Sequence, residues 1–200
     1  IKNNFAPKEN SSQPGVIAYI SMWRVDRAEK WRDPQDGPSG YFIEGRFISS
    51  EDYWVRPDAL IIPFLTHYAR KNDKRLMIIP NTRFPEDLLR KKYDDELLVS
   101  QKKLQKEKDY FRELMGVEPE FYKPSGPYPS YQAIDSAELV VVLDSTLGYE
   151  SIARGKKTAI FSIRGTLLGI AVRNYGWPAD FPDEGPFWTN KPDPDVFVRI

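Results

Sequence analysis

Short apolar runs recur along the chain, and most are followed by residues spaced three and four apart in the manner of an amphipathic helix. Val16–Met22, Arg75–Ile79, Glu120–Tyr122, Leu139–Leu143 and Thr158–Ile163 show little polar alternation. That pattern suits strands buried on both faces of a parallel sheet. Pro57 at a first turn, then Leu60, Ile61, Phe64, Leu65 and Tyr68, predicts a helix over 57–71. Leu97, Leu98, Leu104, Phe111, Leu114 and Met115 predict a long helix over 86–115 that ends at Gly116, its Lys/Glu mixture forming a solvated face. Shorter helices are expected over 130–136, 146–154 and 165–172, with an edge strand at Phe187–Thr189 and a last helix opening at Asp193-Pro194. Strand and helix alternate, so the expected fold class is α/β, a doubly wound parallel sheet covered on both faces.

Two stretches escape the pattern. Residues 1–15 are rich in Asn, Ser and Pro and read as a linker or tail, leaving 16–200 as the domain. Val25–Arg56 is full of turn residues around one extended piece, Tyr41–Ile48, and is too long for a plain βα connection. It is expected to wall a ligand crevice or to face a second lobe. The opening Ile1 and the helix start close to the end suggest a piece of something longer.

Composition narrows the function classes. Lys plus Arg and Asp plus Glu both total 29, so there is no basic surplus of the kind that duplex nucleic acid requires. The absence of cysteine excludes disulfides, thiolate zinc sites and thiol catalysis. The single histidine, His67, argues against a His-rich metal site and reads better as an ordinary helix residue than as a catalyst. No apolar run approaches the ~20 residues of a transmembrane helix.

The chemistry concentrates in Glu138–Arg164, which reads β–α–β. Asp144-Ser145-Thr146 favours a helix N-cap, and Gly155 ends that helix. The strand's carboxyl end and the helix N-terminus then face one crevice, where amide N–H groups and the helix dipole favour an anion such as phosphate beside Ser145 and Thr146. Other phosphate and hydrolase signatures fail. There is no G-x-G-x-x-G; Gly148 and Gly155-Lys156 are spaced wrongly for a P-loop; no G-x-S-x-G surrounds Ser145; Asp144 lacks a second aspartate two residues on. Two readings of the remaining spacing stand side by side. Either Ser145 merely caps the helix and Glu150 is solvated, or Ser145 and Thr146 hold phosphate while Glu150, one turn on, accepts two ribose hydroxyls. Gly148 lets the helix pack closely on a neighbour or admits a ligand. Arg83, just after the second strand, is balanced between ligand contact and surface ion pair.

The segment Asp144–Lys157, DSTLGYESIARGKK, resembles the donor-site motif of GT-B-fold glycosyltransferases, in particular the capsule and surface polysaccharide group with a Ser-Thr-x-Gly-x-Glu core. The tight match spans about twenty residues, and the looser β/α series most of the chain. UDP-N-acetylglucosamine 2-epimerases carry a related version. The resemblance implies one Rossmann-like lobe of a two-lobe enzyme, with donor phosphate on Ser145 and Thr146, ribose on Glu150, the loop carrying Ser125 near the base, and Arg83 and Arg164 as cations for the leaving phosphate. It further implies a nucleotide sugar as substrate with no cofactor and no metal. A glycan or lipid-linked acceptor would be brought by a missing N-terminal lobe, in the cytoplasm or at the inner membrane face. The sequence departs from the group after its second strand, where Pro80-Asn81-Thr82-Arg83 replaces a Lys-Pro-His-Pro-like sequence. Alternatives are a UDP-sugar 2-epimerase-like enzyme and a non-catalytic nucleotide- or sugar-binding lobe.

Overall fold

The computed structural model describes residues 13–25, 27–28, 39–82, 94–123, 128–143, 145–170 and 183–200. Six parallel strands form the main sheet: β1 Gln13–Ile20, β4 Arg75–Ile79, β5 Glu120–Phe121, β6 Ala137–Val142, β7 Lys157–Phe161 and β8 Trp188–Thr189. A separate antiparallel hairpin, β2 Gly40–Ile43 and β3 Arg46–Ser49, lies between β1 and the first helix. The helices are α1 Arg56–Lys71, α2 Asp94–Met115, α3 Pro129–Ser136, α4 Thr146–Ala153, α5 Arg164–Leu168 and α6 Val196–Arg199.

The sheet order is β5-β4-β1-β6-β7-β8. Numbered among the sheet's own strands this is 3-2-1-4-5-6, the Rossmann order, so the expected doubly wound parallel α/β fold is the observed one. The pleat sends alternate residues to opposite faces. Ile17, Tyr19, Leu76, Ile78, Val141 and Phe161 pack with α1 and α2 on one face. Ala18, Ile20, Met77, Val140, Val142 and Ile160 pack with α3 and α4 on the other.

Several boundaries differ from expectation for local reasons. β1 begins at Gln13, inside the expected linker, because Gln13 pairs with Ala137 and the Gly15 N–H donates to the Glu138 carboxylate. Tyr41–Ile48 is not one extended piece but a hairpin. Glu44 and Gly45 at its turn both have positive φ, 50° and 74°, as a type I′ turn requires. A π-helical turn, Glu51–Val55, precedes α1. The expected helix start at 86 lies outside the described residues. The charged face of α2 is not solvated throughout: Glu107 is fully buried.

Candidate functional site

In this strand order the topological switch falls between β1 and β6, whose chains leave for opposite faces of the sheet. The crevice at their carboxyl ends is the general ligand position in open α/β sheets. Ser21–Arg24 form one side of it, and Ser145 with the start of α4 forms the other.

The β1 side is held firmly. Glu107 of α2 accepts hydrogen bonds from the Ser21 hydroxyl (2.6 Å) and from the Asn81 and Thr82 amides (3.0 Å each). The Asn81 side-chain amide donates to the Trp23 carbonyl at 2.9 Å. One carboxylate thus ties the ends of β1 and β4 together. Burial pushes its pKa up, and the three donors pull in the opposite direction. Arg24 stands exposed just after this tied segment.

On the other side, Ser145 is the N-cap of α4, and its Oγ accepts from the Leu147 amide at 3.3 Å. The Gly148 amide donates to the Ser145 carbonyl. Thr146 is exposed, while Ser145 and Glu150 are half-buried. Gly148 lies against β6 so closely that a Cβ there would come within 2.5 Å of Val142 Cγ1. The glycine is what allows α4 to sit on the strand.

Two rungs join α4 to α3. The Tyr131 hydroxyl donates to Glu150. Four residues further along each helix, Arg154 Nε donates to Asp135 at 2.9 Å in a fully buried ion pair. The Arg154 guanidinium also lies over the Tyr131 ring, 4.9 Å from its centroid. The Tyr131 hydroxyl is pushed up to about 12, first by burial and then by the Glu150 carboxylate it bonds, so it remains a proton donor. Lys156 closes the join by donating to the Asp135 carbonyl at 2.8 Å.

Ser145, Thr146, Gly148 and Glu150 therefore lie together on α4 beside the switch point. Arg164 follows β7 at the same edge of the sheet but is only 1% exposed. Its Nε donates to the Tyr53 carbonyl, and its guanidinium lies 4.5 Å from the centroid of the Trp54 ring. Asp58 of α1 is close by, buried, and accepts from the hydroxyls of Tyr19 and Tyr110, the latter at 2.8 Å. Arg83, Ser125 and Asp144 lie outside the described residues. His67 is exposed on α1.

Sequence reasoning passed over Asp58, Glu107 and Tyr131. A signal was present for the first two. Asp58 shares a helical stripe with Ile61, Ile62 and Leu65, and Glu107 shares one with Leu104 and Phe111, so both carboxylates face the core.

Fold and site together define an α/β protein of Rossmann topology with a capped helix N-terminus at its switch point and a carboxylate one turn into that helix. Over residues 1–200 the chain matches the family model described as "putative O-antigen biosynthesis protein". It belongs to that family, whose description assigns it to the biosynthesis of a surface carbohydrate. Neither the curated proteins nor the solved structures contain a match to it. Among the described residues, no helix is long and apolar enough to cross a membrane.

Proposed function

We propose that the chain is the donor-binding unit of a GT-B-type glycosyltransferase in O-antigen assembly, holding a nucleotide sugar by its phosphates at Ser145–Thr146 and by its ribose at Glu150. The observation that carries this reading is the position of α4. Its N-terminus opens beside the switch between β1 and β6, with a hydroxyl pair at the tip and a carboxylate one turn in. An arriving phosphate meets the helix dipole, the Thr146 hydroxyl and the Ser145 hydroxyl. The Ser145–Leu147 capping bond is long at 3.3 Å, so turning that hydroxyl toward a phosphate oxygen costs little. Tyr131 fixes the Glu150 carboxylate from the α3 side, which orients it for paired ribose hydroxyls.

In glycosyl transfer the bond from the sugar to the donor phosphate breaks, and negative charge grows on the departing diphosphate. The helix N-terminus and an exposed cation at the same edge offset that charge, so the reading needs no resident metal. Arg24, exposed after β1, is the cation proposed for this task, whereas Arg164 is buried. Arg83 and Ser125 keep their proposed contacts, to phosphate and base. A glycan or lipid-linked acceptor is brought by a second lobe.

Calorimetry of the 200-residue chain against UDP, CMP and GDP tests the assignment. One of them should bind, and Ser145→Ala and Glu150→Gln should each weaken it about tenfold, or ~1.4 kcal/mol. Absence of binding to all three, or affinity indifferent to both substitutions, would overturn it.

A further inference from the structure

The insertion between β1 and α1 forms a second recess together with α5. It is a cavity of about 190 Å3 lined by Arg46 and Phe47 of the hairpin, Asp52 and Arg56 around the π-helical turn, and Leu167 and Leu168 of α5. That is smaller than the ~300–1,000 Å3 of sites for drug-sized ligands, so its occupant is small.

Two of the polar groups, Arg46 and Asp52, are hydrogen-bonded before any ligand arrives. Arg46 Nη2 donates to the carbonyls of Leu168 (3.0 Å) and Gly169 (2.8 Å) at the end of α5, which fixes the plane of its guanidinium. Asp52 accepts from the Ser49 hydroxyl at 2.8 Å and lies 3.9 Å from Arg56 Nη1. The Arg56 and Asp52 side chains are 55% and 51% exposed, so this ion pair is weak and open to exchange. Two arginines less one aspartate leave the recess one positive charge in excess. Phe47 and the two leucines add an apolar wall. Planar guanidinium groups favour carboxylate or phosphate, a fixed carboxylate accepts from hydroxyls, and an apolar wall suits the C–H face of a ring. Neither a bare anion nor a hydrocarbon uses all three.

We propose that this recess binds one acidic sugar unit, its carboxylate or phosphate on Arg46 and Arg56, its hydroxyls on Asp52 and its ring against Phe47. Lined by the insertion, Arg56 and α5 and not by α4, it offers a place for a unit of the acceptor or growing glycan. The assignment stands apart from the nucleotide reading.

The test is a titration of the full chain, followed by NMR, with methyl glucuronide, glucose 6-phosphate, neutral methyl glucoside and inorganic phosphate. Saturable binding is expected for the glucuronide, the sugar phosphate or both, at least tenfold tighter than for the neutral glucoside or phosphate alone. Which of the two binds identifies the anion. Arg56→Ala should weaken binding at least fivefold and Arg56→Lys less, whereas Arg75→Ala, which removes only an exposed pair with Glu120, should leave it unchanged. Arg56 stands at the surface, so its variants keep the test readable even if Arg46→Ala loosens the hairpin. Added UDP should not displace the sugar. Binding of phosphate as tight as that of sugar phosphate would reduce the recess to an ion site. No saturable binding, or binding indifferent to Arg56, would overturn the proposal.

Discussion

Two carboxylates in this protein, Glu150 and Asp58, are each held by tyrosine hydroxyls, and they lie on opposite faces of the same sheet. Glu150, on α4, is half-buried and takes one such bond, from Tyr131. Asp58, on α1, is buried and takes two, from Tyr19 and Tyr110, beside the buried Arg164. A half-buried carboxylate one turn into a helix can exchange a partner for a ligand. A fully buried one cannot, because losing a partner there strands a charge without solvent. The same local chemistry thus serves as a candidate contact on one face and as a latch on the other. The latch joins β1, α1, α2 and, through Arg164, the Tyr53 carbonyl of the insertion.

Asp58→Ala is the sharpest way to break this comparison. It removes the acceptor of two buried hydroxyls and the charge facing Arg164, and should cost about 3–5 kcal/mol in urea unfolding. Glu150→Gln should change stability by less than about 1 kcal/mol while weakening nucleotide binding. Equal losses of stability in the two variants would mean that Glu150 is also a latch. Next in size is Gly148→Ala. Its Cβ must push against Val142, and overpacking of that kind costs ~1–3 kcal/mol. A neutral result would mean that α4 shifts easily on β6.

How much of this was legible in the sequence follows from how local each feature is. Strand β4 and helix α1 emerge within a residue of their predicted ends, because apolar runs and a first-turn proline are local signals. The close approach of Gly148 was readable as one of two roles, and Ser145 could be placed as a cap from its residue type alone. The Glu150–Tyr131 bond was not legible, since the partners are nineteen residues apart and meet only because α3 and α4 cover the same face. The Arg164 latch reaches 111 residues along the chain to the Tyr53 carbonyl, and no periodicity encodes that. Glu107 and Asp58 were concealed differently. The Lys/Glu mixture around Glu107 was read as a solvated face and Asp58 was passed over, yet their spacing set both on apolar stripes.

Tyr131→Phe sharpens the α4 side without removing the carboxylate. It deletes one hydroxyl from a buried ring and leaves the Arg154 stacking surface intact. Stability should fall by about 1 kcal/mol. Calorimetry should show a loss of nucleotide affinity smaller than that of Glu150→Gln, with Glu150→Gln/Tyr131→Phe no worse than Glu150→Gln alone. Additive losses in the double variant would mean that Tyr131 acts on the ligand independently of Glu150.

The smallest expected effect is on pH dependence, and it tests the latch face. Burial raises the Asp58 and Glu107 carboxyls above their ordinary values, against the hydrogen bonds that lower them. Where a folded-state carboxyl is raised, the native chain binds more protons than the unfolded chain between the two pKa values. Stability therefore falls as pH rises from the ordinary carboxylate range, about 4, through the raised values, and levels off above them. Glu138 has the opposite sign, because Lys74 and the Gly15 amide lower it; its contribution is lost as pH falls below the ordinary range. Urea unfolding from pH 4.5 to 7 should accordingly show a shallow decline. Asp58→Asn should flatten its share of that slope. A slope unaffected by Asp58→Asn would mean that Asp58 is no more costly to ionise in the native chain than in the unfolded one, and the contrast between a latch and an open contact would lose its electrostatic basis.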